Sequence, residues 1–579
     1  MSRNGSGTYN LPAGNPVVTG TTITSSWANT TMQNIADGLT QSVASDGQTP
    51  MSGALNMATN DINNAGIVNA EELTINGVDI SGATGSSTIG YNEGQTNAVT
   101  RTVQAKLQET VSVKDFGAIG DGTTDDTTAI QNAINSGAAR VIFPSGTYVV
   151  SGLTGLSNQI LDGLNQATLL AKTGSAATVT FITFNSKNNY AVKNFIFDGN
   201  TANATNLNVE FSNTSCSYFS YTNNTWKNCN GLSCYIANSS NVNINNNKFI
   251  NCGIYNITSG NSADRRAAIN FQTCTYSTAN DNYFDTVGLD CISFTTNCSN
   301  VQACRNITKD NYASAVYASL VTNFVISENV SDALNLYSLK SGNGIDVINS
   351  KKGTITGNVS TNRGGAGISV ANGFDVVISS NTCLNNNQSN AGLGGICIAT
   401  STAGGYTPLT EDIVATGNIC RDVQGVGSVT QKIGISKLSQ TGSVFTRIVI
   451  DVSNNLSGYD SGGNPSLGAQ ISSSFGLVGY PILFNLTTGS SLDLCTANTY
   501  GTFSVTQVNN ASYYANAYVY LTSTPILLAD PASQWTAGSG GAKQNILYNS
   551  GTGTIQLQNN TGLTRTYLVM SNSLALPAV

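Results

Sequence analysis

The sequence predicts an all-β protein whose middle is a parallel β-helix with three short strands per coil, and three observations predict it. Hydrophobic residues make up 40% of the chain and charged residues only 9%. Asn, Ser, Thr and 59 Gly replace the missing charge, while Val, Ile, Phe and 23 Tyr stay plentiful. That mixture is too apolar for a disordered chain and suits strands with hydrogen-bonding surfaces and many turns. Secondly, Asn224, Asn247, Asn282, Asn306, Asn329, Asn358, Asn381 and Asn418 recur at separations of 23, 35, 24, 23, 29, 23 and 37. The three long separations read as the same unit of about 23 residues with loops inserted. Thirdly, the residues three and five before each Asn are mostly apolar or small, as in Ile244/Val242, Ala303/Val301, Ile326/Phe324, Ile378/Val376 and Ala415/Ile413. A period near 23 with alternation inside it describes one coil of a β-solenoid.

At 579 residues, several domains are expected. Residues 25–40 suit an amphipathic helix with Ala28, Met32, Ile35 and Leu39 on one stripe. Leu73–Ile80 reads as a short hairpin around Asn76-Gly77. Residues 1–95 form an N-terminal region, and 96–110 a linker helix. The β-helix occupies 111–435. Its open first coil needs a cover, which the helical face of Ala129, Ile130, Ala133 and Ile134 supplies, capped by Asp126 or Thr127. Within each coil a second set of inward flanks lies about twelve residues before the Asn, as in Val316/Ala318, Ile345/Val347 and Ile368/Val370. The Asn column reads as a ladder of turns, because Asn tolerates left-handed backbone and its amide can bond the next coil. Residues 436–579 keep β alternation (Val444–Val452, Tyr513–Leu521, Ile555–Leu557, Tyr567–Met570) without the Asn column. They read as one or two β-sandwich-like modules serving trimer assembly or carbohydrate binding.

The net charge of −7 and the lack of a basic tract exclude nucleic acid as a partner. No apolar run approaches the ~20 residues of a membrane-spanning helix. Residues 1–30 lack the pattern of a secretory signal. Eight of the 12 cysteines, Cys216 to Cys304, crowd into 89 residues. With no CxxC pair and no histidine anywhere, no metal site and no cofactor is expected. The cysteines read as reduced, small apolar core residues of a protein folded in a reducing cytoplasm.

Residues 111–150 carry Asp115-Phe116-Gly117-Ala118, Gly120-Asp121-Gly122, Asp125-Asp126-Thr127 and Phe143-Pro144-Ser145-Gly146-Thr147-Tyr148. These blocks, with Arg101–Leu107 before them, resemble the opening of the pectate-lyase-like superfamily in its phage tailspike form. Pro50–Met57, followed by Ile62-Asn63, resembles a repeat of phage tail-fibre proteins. The resemblance implies a right-handed β-helix and a homotrimer. It implies a virion tail protein, attached to other tail proteins through 1–95 and made in the host cytoplasm. Outside the cell, its β-helix would recognise and depolymerise a bacterial surface polysaccharide, capsule or O-antigen. The blocks are specific for fold and weak for reaction, since the superfamily holds hydrolases, lyases, epimerases and plain binders.

Cleaving a glycan calls for two carboxyls, or one with a base, in a groove with aromatics for sugar stacking. Histidine is absent, so no His base can act. The outward lane twelve residues before the Asn column contains Tyr235, Asn270, Tyr317, Asp346 and Ser369. Asp290 joins this lane by the likeness of Gly288-Leu289-Asp290-Cys291-Ile292 to Gly344-Ile345-Asp346-Val347-Ile348, although it stands 16 rather than 12 residues before its Asn. Two coil steps would then separate Asp290 from Asp346, roughly 9–10 Å, a spacing suited to an inverting hydrolase. Glu328, in a column with Asp281 and Arg305, is a third candidate acid, or one rung of a salt-bridge ladder. Inserted loops offer Asp264, Arg265, Arg266, Tyr337 and Tyr406 as groove walls. Arg265, Arg266, Lys340 and Arg363 would make that groove locally positive and suit an acidic sugar. Hydrolysis leads. A lyase using Tyr317 or a Lys as base, with Arg265 or Arg266 on a uronate, and a non-catalytic receptor-binding spike are the alternatives.

Overall fold

Alternation within each unit of about 23 residues sends one set of side chains inward and wraps the chain into coils. The computed structural model describes residues 18–40, 74–75, 78–79, 85–87 and 89–456, without 173–177, 201–207, 230, 254–266, 334–341, 390–391, 403–404, 425–427 and 452, and beyond these the strands lying between 482 and 575. The chain divides into two units, 1–89 and 90–579. In the first, a helix spans Ser25–Thr40 as predicted, with Met32 of its stripe 66% exposed. Thr74–Ile75 pairs antiparallel with Val78–Asp79, as the hairpin requires.

In the second unit a short helix, Val103–Leu107, is capped by the Thr102 hydroxyl and leads into the β-helix at Thr110. The helix Thr127–Asn135 covers the first coils and buries Ile130, Ala133 and Ile134. Its capping differs from the prediction. Asp126 stands at the N-cap, but its carboxylate accepts from the N–H groups of Ile119 (2.6 Å) and Gly120 (3.0 Å), pinning the preceding turn. Asp125 takes the first-turn N–H of Thr127 (3.0 Å) and pairs with Lys172 (2.7 Å).

Three stacks of parallel strands follow. The first sheet includes Ser240–Asn245, Thr275–Asn280, Ser299–Cys304, Thr322–Ser327 and Lys351–Thr356. The second includes Lys248–Cys252, Tyr283–Val287, Ile307–Lys309, Val330–Asp332 and Val359–Thr361. The third is an eleven-stranded stack that includes Ile269–Gln272, Ile292–Thr295, Val316–Ser319, Ile345–Ile348 and Ile368–Ala371. The predicted inward flanks are buried: Ile244, Val242, Ile326, Phe324, Ile345 and Val347 are each at most 2% exposed. Like residues stack on like, as in Trp226, Phe249 and Phe284, whose rings lie parallel at 4.8 and 5.0 Å, the coil-to-coil spacing. All eleven cysteines among the described residues with placed side chains are buried and free, and burial raises the Cys234 and Cys291 thiols well above their ordinary range.

The Asn column forms the predicted ladder, entirely inside. Asn306 donates its backbone N–H (2.9 Å) and its amide (2.8 Å) to Oδ1 of Asn329, and the Asn329 amide donates back to Ala303 O at 2.8 Å. The left-handed backbone lies one residue earlier than predicted: Asn223, Asn246, Asp281, Arg305, Glu328 and Ser380 take φ of 55–58°. The ladder also outlasts the predicted boundary at 435. Asn418 bonds Asn454 (2.9 Å), and Val444–Ile450 stacks on Leu409–Thr416 as a further coil. Val444–Ile450 therefore belongs to the β-helix and not to the C-terminal module. Beyond it the strands form a five-stranded antiparallel sheet and a four-stranded mixed one.

Candidate active site

The outward lane of the third sheet is fixed by strand register. Asn270 pairs with Ser293, Ser293 with Tyr317, Tyr317 with Asp346, and Asp346 with Ser369. Asn270, Tyr317 and Asp346 thus stand in the predicted lane. Asp290 does not. Its coil enters the third sheet at Ile292, so Ser293 fills the lane and Asp290 lies in the turn before the strand. The Leu289/Cys291 flanks imitate a strand because Cys291 is buried below the turn and not within the sheet. Asp290 and Asp346 are therefore not two steps apart in one lane, and the spacing expected of an inverting pair does not apply.

The turn nevertheless brings the two acids together. Asp290 is 9% exposed and accepts the Ser314 N–H at 2.8 Å. Burial, and then the charge of Asp346, push its carboxyl up to about 7. Asp346 keeps partial access to solvent, and burial raises it too, against hydrogen bonds from Ser369 and Asn343. Tyr317 lies beside both, its phenol raised by burial and by the two carboxylates. Close packing makes the corner: a Cβ on Gly344 would meet Ser360 Oγ at 2.0 Å and Gly367 O at 2.4 Å. Ser293, Ser314 and Asn343 escaped the sequence reading. Only Ser293 left a signal, standing 13 residues before Asn306.

Arg363 corrects another expectation. It is 1% exposed and cannot line a groove. Its guanidinium donates to Asn311 Oδ1 (2.6 Å), to Ser331 Oγ (3.4 Å) and to Ala313 O, tying coils together behind Asp290. Burial depresses it to about 10. Glu328 is not brought to the site. It is an exposed turn residue at the corner between the first and second sheets, where Arg305 pairs with Asp281 at 2.7 Å. Tyr406 is 42% exposed at the far edge of the third sheet, between Gly394–Ala399 and Leu409–Thr416. Asp264, Arg265, Arg266, Tyr337 and Lys340 lie outside the described residues. Their segments, 254–266 and 334–341, both leave the chain between the second and third sheets, the corner that holds Asp290.

Residues 110–346 match the family described as rhamnogalacturonase A/epimerase, pectate lyase-like. Over this stretch, less than half of its length, the chain is similar to pectate-lyase-like proteins. The matched stretch contains Asp290 and ends on Asp346. The chain is 30% identical over 138 residues to the tail spike protein of Shigella phage Sf6, covering 22% of each chain. It is 36% identical over 110 residues to mannuronan C5-epimerase AlgE6 of Azotobacter vinelandii, covering 16% of this chain and 13% of that one. The chain therefore spans less than a quarter of the length of these relatives. Among solved structures, tailspike protein 3 of bacteriophage CBA120 is similar, with a TM-score of 0.44 at 16% identity over 68% of this chain and 67% of that one. The predicted likeness to phage tailspikes is met in sequence over 138 residues.

The raised Asp290 carboxyl has a measurable cost. Its ordinary value is 3.8, so between about pH 4 and 7 the folded chain holds a proton that the unfolded chain has lost. Stability contributed by this group is present below about pH 4 and falls as the pH rises towards 7. Asp290→Asn cannot ionise and should remove that fall. Unfolding midpoints of wild type and variant, compared at pH 4 and pH 8, check this: equal pH dependence in both proteins would contradict it.

Proposed function

We propose that the chain is a phage tailspike whose β-helix binds a bacterial surface polysaccharide, capsule or O-antigen. It cuts the polymer within the chain by hydrolysis, with Asp290 and Asp346 as the carboxyl pair. The observation that carries this reading is one buried corner holding two carboxyls, with Asp290 raised to about 7 in part by the charge of Asp346. In this reading Asp290 gives its proton to the departing glycosidic oxygen, while Asp346, the more accessible of the two, serves as the carboxylate that acts on water or on the sugar carbon. Tyr317, Asn270 and Ser293 lie along the lane and would touch the chain on either side. Asp264, Arg265, Arg266, Tyr337 and Tyr406 are proposed as contacts from the flanking loops.

Elimination on the same scaffold is less well supported. A lyase needs a base, and burial raises the Tyr317 phenol away from that role. It also needs a cation on the uronate, and Arg363 is committed to Asn311 and Ala313 inside the corner. Reducing ends released without an unsaturated uronate chromophore support hydrolysis. The chromophore would establish a lyase, and binding without product an adhesin.

The same reading includes a homotrimer, anchored to other tail proteins through 1–95. Ring closure gives each subunit an identical side-by-side contact. Native mass measurement should give three times the 60.1 kDa chain, and a monomer would overturn this part.

A further inference from the structure

The first sheet carries a second left-handed column, at the second position of its strands from Asn188–Asp198 to Phe374–Ser379, where Lys352 and Asp375 close the series. Asn189, Asn241, Asn300 and Asn323 fill four of its places, as suits a side chain that tolerates this backbone. Tyr218 and Tyr276 fill two others, at φ of 53° and 50°. A bulky ring at positive φ costs free energy that Asn avoids. Neither ring recovers that cost by burial, for they are 63% and 62% exposed and, among the described residues, have no aromatic partner. The two stand two coil steps apart, roughly 10 Å along the axis. An open groove of about 470 Å³ continues from Tyr276, lined by Thr278, Asn300, Gln302, Asn323 and Lys352.

We propose that Tyr218, Tyr276 and this groove form a second, non-catalytic saccharide platform on the first sheet. It rests on the polysaccharide reading above and adds a separate place where the same polymer is held. Flat exposed rings stack on sugar faces, and the amides and hydroxyls between them meet sugar hydroxyls. The groove mixes apolar Val301, Phe324 and Val325 with Thr278, Asn300, Gln302 and Asn323, the pairing of apolar face and hydrogen-bonding edge that a sugar ring presents. A long polymer held on this sheet while another stretch enters the carboxyl corner gains affinity through effective concentration.

The test uses full-length protein carrying Asp346→Asn, so that polymer survives, on an array of purified bacterial capsule and O-antigen polysaccharides. Tyr218→Asn and Tyr276→Asn are combined, since Asn fills the same column in neighbouring coils and should fold. Affinity for the polysaccharide bound by the parent should fall roughly tenfold or more, and Tyr→Phe at both positions should restore it. Unchanged affinity in the Asn double variant would overturn the platform without touching the assignment of cleavage to Asp346. Altered native mass with unchanged affinity would make the rings a subunit contact and also overturn it. No binding of any polysaccharide by the parent would remove the functional reading, and the platform with it.

Discussion

Asp346→Asn should cleave polysaccharide ~10²–10⁴-fold more slowly than wild type, the usual consequence of losing a general acid or base, while still binding the polymer. The replacement keeps the size of the side chain and can still bond Ser369 and Asn343, the partners of the native carboxylate. Folding should therefore survive. Asp290→Asn should show the same pattern, because it removes the proton donor of the proposed pair. Activity should also decline above about pH 7 as Asp290 loses its proton, and this decline should be absent from what activity remains in Asp290→Asn. Reducing-end release measured against pH gives both results. Wild-type rates in Asp346→Asn would take catalysis away from this corner and towards the loops 254–266 and 334–341.

The largest effect on stability should come from Asn329→Ala. Its Oδ1 accepts from the backbone N–H and the amide of Asn306, and its own amide donates to Ala303 O and to Asn358 Oδ1. Asn329 is 2% exposed, so water cannot replace these bonds. Removing them strands the Asn306 N–H and the Ala303 carbonyl, and the loss should be roughly 3–5 kcal/mol. Unfolding rates at fixed denaturant would report it, and a variant as slow to unfold as wild type would contradict the ladder's role. Asn323→Ala, in the exposed left-handed column of the first sheet, should cost less, roughly 1–2 kcal/mol.

The fold was legible because a repeat writes itself many times. Eight Asn residues at separations built on 23, each with apolar flanks at fixed offsets, outvote any single irregular coil. The end of the β-helix was harder to read: Asn454 follows Asn418 after 36 residues, and the second of the adjacent pair Asn454-Asn455 starts a strand. The site was half legible. Asp346, Tyr317 and Asn270 obey the repeat and were placed by it. Asp290 stands in a turn, where period-two alternation carries no information, and its apolar neighbours copied a strand. It comes near Asp346 through the turn and not through the lane. Arg363 was misread because a guanidinium suggests a surface, while here Asn311 and Ala313 of one turn and Ser331 of a second-sheet strand, all distant from it in sequence, hold it inside. Such contacts leave no local trace.

The direction of the ladder bonds has a bearing on how the chain is made. Each Asn side chain reaches back, bonding the N–H of the preceding Asn and a carbonyl of the preceding coil. A coil is therefore completed by the one that comes after it. A chain lengthening from its N-terminus during synthesis closes its hydrogen bonds in the order in which they are translated. The helix Thr127–Asn135 is already present as a lid on the starting end, and only the newest rung stays open. Growth of this kind resembles the extension of a crystal from a seeded face more than the collapse of a globule.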